Sequence, residues 1–159
     1  MELKQDFRKM ANNQLRLKLF FLKKMPMGFL SGMRVIEISQ KEAIVSVPFN
    51  YLTKNPFHSV YFAVQAMAAE LSTGAMAMAE VMSAKSPVSM LVIDMQATFL
   101  KKARSKIFFI CNEGKAIADA VRNAIETNEA QIVIVKSIGK DTDGEIVSEF
   151  QFTWTFKSK

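Results

Sequence analysis

Glu70 stands alone as an acidic residue in the segment NPFHSVYFAVQAMAAELST, which runs from Asn55 to Thr73. At about 100° per residue in a helix, Glu70 shares one stripe with small side chains. These are Ala63, Ala66, Thr73 and Ala77. Burial in such a groove raises the pKa of a carboxyl group, which suits it to act as a general base or nucleophile near neutral pH. The alternative is that Glu70 pairs with a lysine or a backbone amide on a neighbouring element.

The chain contains one histidine, His58, and one cysteine, Cys111. A zinc site or a Ser-His-Asp triad is hard to assemble from this inventory, and we predict no metal. His58 is either a lone acid or base or a solvated histidine in the loop before a helix. Cys111 ends the apolar run IFFIC and is typical of a small buried side chain.

The chain of 159 residues is 50% hydrophobic and 23% charged, which predicts one domain, residues 1–159, with a sizeable core. A net charge of +6 favours an anionic partner: nucleotide phosphates, nucleic acid or anionic lipid. No stretch approaches the ~20 apolar residues of a membrane span. Basic residues interrupt the N-terminal apolar segment, which makes it a poor signal peptide. We therefore expect the protein to be located in the cytoplasm.

The N-terminal residues predict an amphipathic basic helix from Glu2 to Lys24 that stops at Met25–Gly28, so that residues 1–28 are a helix and a loop. Its apolar stripe is formed by Leu3, Phe7, Met10, Leu17 and Phe21. We expect this stripe to pack on the domain; the alternative is that the helix docks on a membrane surface.

The remaining pattern predicts two strands, a long helix, two strands, a short helix and two final strands. Their expected bounds are 33–39, 42–49, 59–83 with Ser59 as its cap, 89–99, 105–111, 114–126, 130–138 and 146–156. From Ser89 to Phe99 we expect the odd-numbered residues to share one face. This order predicts an α+β fold in which a curved antiparallel sheet wraps one apolar helix. Long strands with open edges favour a dimer.

Three stretches then resemble a known family: the Asn55 loop with an acid fifteen positions later, FLKKAR from Phe99 to Arg104, and PMGFLSGMRVIEI from Pro26. Over residues 16–156 the chain resembles a hotdog-fold acyl-CoA thioesterase of the branch near the DUF4442 and PaaI-like proteins. The resemblance implies an acyl-CoA or related thioester as substrate, with no cofactor beyond the substrate's CoA moiety. It also implies a homodimer or a dimer of dimers.

The resemblance implies that Asn55 and Glu70 face each other across the dimer interface and act on the thioester. The N–H groups of Phe62 and Ala63, at a helix N-terminus, would serve as the oxyanion hole. Thr73 either holds the attacking water or bonds back to its own helix. Tyr61 and His58 are expected to contact the substrate.

The basic residues Lys101, Lys102 and Arg104 lie where the resemblance implies that CoA phosphates bind. The competing interpretation is a solvated strand end that blunts a sheet edge. The chain departs from the family at the His-Gly-Gly step, which here reads Tyr61, Phe62 and Ala63, and at Lys102 in place of proline.

Three functions follow from these patterns. The first is hydrolysis of an acyl-CoA, which Asn55 and Glu70 favour. The second is a non-catalytic hotdog module that binds an acyl or aromatic ligand or only dimerises, which the altered His-Gly-Gly step favours. The third is a basic peripheral membrane or nucleic-acid protein. Nucleic acid ranks last, because aromatic residues do not alternate with basic ones.

Overall fold

The computed structural model describes residues 7–159, which form a six-stranded antiparallel sheet around one long helix. The helices are α1 Phe7–Ala11, α2 Gln14–Lys24, α3 Pro26–Leu30, α4 Phe62–Ser83 and α5 Gly114–Thr127. The strands are β1 Arg34–Ile38, β2 Ala43–Val47, β3 Val88–Phe99, β4 Ile107–Cys111, β5 Gln131–Lys140 and β6 Ile146–Ser158. None of the helices within this range is long and apolar enough to cross a bilayer. The expected α+β class is confirmed.

The predicted single N-terminal helix is wrong in its continuity. The helix is interrupted at residues 12–13 because Asn13 is the N-cap of α2. Its side chain accepts a hydrogen bond from the Arg16 N–H at 3.1 Å. Pro26 then begins α3, where a loop was expected, since proline is well placed in a first helical turn. Phe7, Leu17 and Phe21 are buried as expected, whereas residues 2–6 of the predicted helix, with Leu3, lie outside the described residues.

The strands follow the order β1-β2-β4-β5-β6-β3, so β1 and β3 are the two edges of the sheet. The predicted hairpin of β1 with β2 is confirmed. Asn12 lies against the outer side of β1: its side chain donates to the carbonyl oxygen of Ile38 at 3.2 Å and accepts from the Ile38 N–H at 3.3 Å. Gln14 donates to the carbonyl oxygen of Val35 at 2.9 Å. Two side-chain amides thus form hydrogen bonds with backbone groups of this edge strand, and those groups are no longer free to pair with another strand.

Helix α4 is the core of the fold, and small residues let the sheet approach it closely. Within the core, the hydroxyl groups of Ser72 on α4 and Ser137 on β5 lie 2.8 Å apart. The inward face of β6 covers the helix with four buried aromatic side chains, as the alternation predicted. These are Phe150, Phe152, Trp154 and Phe156.

The expected single apolar face of β3 is wrong, because a β-bulge at Ile93 interrupts the alternation. Val92 pairs with Trp154 and Asp94 with Thr153, which leaves Ile93 as one extra residue. Paired residues of antiparallel strands point to the same face. Met95 therefore faces the helix side with Phe152, whereas Leu91 lies on the opposite face with Thr155.

Candidate active site

Asn55 organises the loop that leads into α4. Its Oδ1 atom accepts hydrogen bonds from the Phe57 N–H at 3.0 Å and from the N–H and hydroxyl of Ser59, both at 3.2 Å. Three donors around one atom identify it as the carbonyl oxygen of the amide. Within residues 7–159 the Nδ2 group makes no hydrogen bond. Asn55 thus retains N–H donors that can bind a water molecule or a carbonyl oxygen.

The first turn of α4 has backbone N–H groups without acceptors. Tyr61 is the N-cap residue and contributes no side-chain cap. Its carbonyl oxygen accepts from the N–H groups of Val64 at 3.0 Å and Gln65 at 3.1 Å. In the described part of the chain, the N–H groups of Phe62 and Ala63 donate to no other group. Two donors at the positive end of a helix can stabilise an oxygen that gains negative charge.

A buried glutamine holds this turn in place, and the sequence reasoning missed it. Gln65 is 4% exposed; its Nε2 donates to the carbonyl oxygen of Val60 at 3.0 Å, and its Oε1 accepts from the Ser148 hydroxyl at 2.9 Å. The predicted cap at Ser59 is wrong, because that hydroxyl bonds to Asn55 and the helix begins three residues further on. The sequence signal for Gln65 was a polar side chain inside an otherwise apolar stretch of the helix.

A cavity of about 600 Å³ lies between the Asn55 loop, the start of α4 and the end of β3. It brings together five of the predicted site residues: Asn55, Tyr61, Phe62, Lys101 and Lys102. Its volume is in the range of small-molecule sites. Its lining contains both lysine and asparagine side chains and aromatic rings, so it has polar and apolar parts.

Three aromatic rings line this cavity in a row. The rings of Tyr61 and Phe62 meet edge to face with centroids 4.8 Å apart, and Phe62 lies 6.3 Å from Phe99. Phe62 is 55% exposed and lines the cavity. The row offers an apolar surface to a ligand in this cavity.

Glu70 lines a second cavity, of about 290 Å³, between α4 and the segment from Met25 to Met33. The other lining residues are apolar or small: Met25, Pro26, Met27, Gly28, Met33 and Met67. Burial raises the pKa of Glu70 above its usual value of 4.5, as the sequence predicted. No ion pair involves Glu70 within residues 7–159, so the alternative of a lysine partner receives no support from this chain.

Gly74 makes room for the Glu70 carboxyl group, one turn further along α4. A Cβ atom on Gly74 would lie 2.6 Å from Glu70 Oε1 and 3.3 Å from the ring of Trp154. Any larger residue would therefore displace the carboxyl group. This glycine was also missed, although its spacing of four residues from Glu70 was a usable signal.

Asn55 and Glu70 line different cavities of the single chain. The eight residue steps from Phe62 to Glu70 extend about 12 Å along the helix axis. Their convergence at an interface between two copies stays a prediction.

Thr73 is completely buried, and its hydroxyl donates to the carbonyl oxygen of Glu70 at 2.9 Å and accepts from Trp154 Nε1 at 3.0 Å. The Thr73 hydroxyl proton is thus bonded back to its own helix, which is the alternative to holding the attacking water. His58 is exposed, has a positive φ of 57°, and does not line either cavity. Ala63 contributes its N–H group to the site but no lining side chain.

The basic cluster divides into paired and unpaired members. Lys101 forms ion pairs with Glu145 and, at 3.7 Å, with Asp141. Lys102 and Arg104 are exposed and make no ion pair in the part of the chain that the structure describes. Lys102 lines the larger cavity, whereas Arg104 lies outside its lining. Lys102 is therefore the cation best placed for an anionic ligand.

Residues 14–156 match the family described as Domain of unknown function (DUF4442). The chain belongs to this family. A comparison of this DUF4442 protein with curated protein sequences gives no significant match.

Solved structures show the same fold. The DUF4442 chain is similar to PA5026 of Pseudomonas aeruginosa, a protein of unknown function described as a probable thioesterase, with 18% identity, 92% of this chain and 97% of that chain covered, and a TM-score of 0.76. A putative thioesterase of Shewanella oneidensis is 13% identical and has a TM-score of 0.74, with 89% of this chain and 95% of that chain covered. Thioesterase HI1161 of Haemophilus influenzae is 13% identical and has a TM-score of 0.65, with 92% of this chain and 91% of that chain covered. The expected hotdog fold is confirmed.

Proposed function

We propose that this protein is an acyl-CoA thioesterase whose active site is assembled from two copies of the chain. The observation that carries the proposal is the pair of unused N–H groups of Phe62 and Ala63 at the start of α4, together with the unused amide N–H groups of Asn55, which lines the same cavity as Phe62. Donors of this kind stabilise the oxyanion of acyl transfer. The proteins of similar fold described as thioesterases support the same reaction class. The cytoplasmic location expected from the sequence remains a prediction.

In the proposed reaction, the thioester carbonyl oxygen accepts hydrogen bonds from Phe62 and Ala63, and Asn55 orients the water. Glu70 of a second copy takes a proton from this water while the water oxygen bonds to the carbonyl carbon. The tetrahedral intermediate then re-forms its C=O bond and breaks the C–S bond. The departing sulfur takes the proton from Glu70, which yields a carboxylic acid and the free CoA thiol. The raised pKa of Glu70 suits both transfers.

The CoA phosphates are assigned to Lys102, with Arg104 at a greater distance from the cavity. Lys101 is engaged with Glu145 and Asp141 and is better explained as a structural contact that fixes the end of β3. Phosphate contacts of this kind are made equally in the ground state and the transition state. Lys102→Ala is therefore expected to raise KM for an acyl-CoA and to leave kcat unchanged, with no effect on a neutral short-chain thioester.

One observation favours a non-catalytic ligand-binding module as the second candidate. Phe62 stands where the resembled family has a small residue, and its exposed ring lines the cavity. Binding of an acyl or aromatic group in the 600 Å³ cavity requires no access to the N–H donors. The two candidates differ in whether a thiol is released.

Release of free thiol from a series of acyl-CoA thioesters, followed by a chromogenic thiol reagent, tests the proposed function. We expect turnover by the wild type and loss of turnover in Asn55→Ala, which stays folded but melts at a lower temperature because the loop loses three hydrogen bonds. Gln131→Ala, at a half-buried glutamine of β5 that lines neither cavity, is the control. Binding of acyl-CoA without any thiol release by the wild type would reject the thioesterase and support the binding module.

A further inference from the structure

The excess positive charge of the chain is confined to its N-terminal helices. Between residues 7 and 30 there are six basic side chains and no acidic one, whereas the rest of the chain holds 15 of each sign. The net charge of +6 is therefore carried by this segment. Arg8 pairs with Glu80, and the other five basic residues of the segment make no ion pair among the described residues. Such a concentration of charge attracts an anionic surface.

Helix α2 carries two apolar stripes, of which one is left outside the fold. Leu17 and Phe21 are buried against the domain. Leu15, Leu19 and Leu22 are 70%, 51% and 53% exposed. At about 100° per residue these three leucines lie within about 60° of one another, on the side of the helix opposite Leu17. A leucine stripe that faces solvent is not needed for packing of the domain.

Basic residues border the outer stripe on both sides. By the same helical rotation, Lys18 lies on one side of the leucines, and Arg16 and Lys23 lie on the other. A cavity of about 290 Å³ adjoins this surface, lined by Met10, Arg16, Leu19, Phe20, Lys23 and Lys24. Apolar side chains form part of it and three cations belong to its lining. This combination matches an anionic headgroup above an acyl chain.

We propose that the outer face of α2 binds the surface of an anionic phospholipid bilayer, with Leu15, Leu19 and Leu22 inserted among the acyl chains. Arg16, Lys18 and Lys23 then lie at the level of the lipid phosphates, because the long stems of these side chains extend from the apolar stripe to the headgroups. The helix lies in the plane of the interface and does not span the bilayer. This inference is independent of the thioesterase proposal.

Two other occupants fit the face less well. Nucleic acid would neutralise the cations but would leave three adjacent leucines against a charged backbone. A second copy of the chain docked through the same face would cover the leucines but would bring like charges together at the interface. An anionic bilayer satisfies both the apolar and the cationic groups.

Sedimentation with vesicles at 0.1 M salt tests the proposal, using the full chain. We expect binding to phosphatidylcholine vesicles that contain 30% phosphatidylserine and much weaker binding to phosphatidylcholine alone. The triple variant Arg16→Gln, Lys18→Gln, Lys23→Gln is expected to lose about 100-fold in affinity, since each basic residue near an anionic surface contributes about fivefold. The triple variant Leu15→Ser, Leu19→Ser, Leu22→Ser is expected to lose about tenfold or more.

The matched control removes three cations elsewhere on the surface: Lys85→Gln, Lys106→Gln and Lys115→Gln. These lysines are exposed and form no ion pair in the described chain, so their removal changes net charge equally. We expect retention of most vesicle binding. Equal losses in the control and the α2 cation variant would overturn the proposal, as would absence of binding to the anionic vesicles.

Insensitivity to the leucine changes, together with binding to single-stranded RNA, would also overturn it. Melting curves establish that each variant is folded. Leu19→Ser alone, at the centre of the stripe, replaces the triple leucine variant if that variant has no melting transition.

Discussion

The two edge strands of the sheet, β1 and β3, differ in what lies along their outer sides. At β1 the N-terminal helices lie along the edge, and Asn12 and Gln14 occupy backbone groups of Ile38 and Val35. At β3, an edge strand of 12 residues, no other described element pairs with the outer side. Both edges carry a β-bulge with an isoleucine as the extra residue, Ile36 and Ile93.

This difference indicates which edge is left for a second copy. A bulge by itself protects an edge from pairing, yet only β1 has side-chain amides in addition. β3 also exposes Met95 and Phe99, at 45% and 48%, on the side that faces the helix. A twofold pairing of β3 with its copy would cover these side chains. The proposed composite site depends on this edge.

The largest expected effect concerns the chemistry across the open edge. We expect Glu70→Gln to lower kcat by about 10²–10⁴-fold, because it removes a general base, while the fold is retained. Thiol release from an acyl-CoA measures this loss. Mixing Glu70→Gln with Asn55→Ala under conditions of subunit exchange is expected to restore about a quarter of wild-type activity, since half of the dimers then hold one intact composite site. No recovery on mixing would place both residues in one chain.

A matched pair of substitutions separates the two edges directly. Ile36 and Ile93 are 48% and 49% exposed, and each precedes an acid, Glu37 or Asp94. Ile93→Glu adds a second carboxylate near the middle of β3, where two copies would meet. We expect the dimer dissociation constant to rise by about 100-fold or more, because like charges at an interface cost several kcal/mol. Sedimentation velocity measures the change.

Ile36→Glu is the control for this prediction, and we expect it to leave the dissociation constant unchanged. A dimer that is weakened by Ile36→Glu and not by Ile93→Glu would reverse the assignment of the edges. A wild type that sediments as a monomer at micromolar concentration would reject the composite site altogether.

A smaller effect is expected at the closed edge. Asn12→Ala removes two hydrogen bonds to Ile38 and is expected to lower the free energy of unfolding by about 1–2 kcal/mol. Urea denaturation measures the loss. Asn112→Ala, at an exposed asparagine with no hydrogen bond among the described residues, is the control. If Asn12→Ala weakened dimerisation and left stability unchanged, β1 would be the pairing edge.

The smallest effect is the pH dependence of stability at Glu70. Burial raises the folded-state pKa above 4.5, so the contribution of the neutral acid is fully present below pH 4.5 and is lost as pH rises through the folded pKa. Gln imitates the neutral acid. We expect Glu70→Gln to have a higher Tm than the wild type at neutral pH and the same Tm below pH 4.5. A lower Tm at neutral pH would mean that the carboxylate has a cationic partner.

Strong periodicity made α4 and β6 predictable, because alternation or a long small-residue pattern was maintained through each. The break at residues 12–13 was missed, since the contacts of Asn12 with β1 are tertiary and helix propensity is a weak guide there. The bulge in β3 was missed because apolar residues occupy consecutive positions from Met90 to Ile93, so either face fits the pattern.

The candidate site was predictable where one segment carries it. Asn55, Phe62 and Glu70 all belong to the loop and helix that were identified from their order. The methionines around Glu70 and the acids around Lys101 come from distant parts of the chain, and packing alone brings them close. No local spacing encodes such neighbours.

The bulge at Ile93 also determines where the chain can change in length. Removal of a residue inside either paired stretch and away from the bulge, such as Met90 or Gln96, would turn part of the strand over and expose side chains that now face α4. Removal of Ile93 would leave Val92 opposite Trp154 and Asp94 opposite Thr153, with every side chain on its present face. Relatives that lack one residue in this strand can therefore keep the same sheet, provided that the deletion falls at this position.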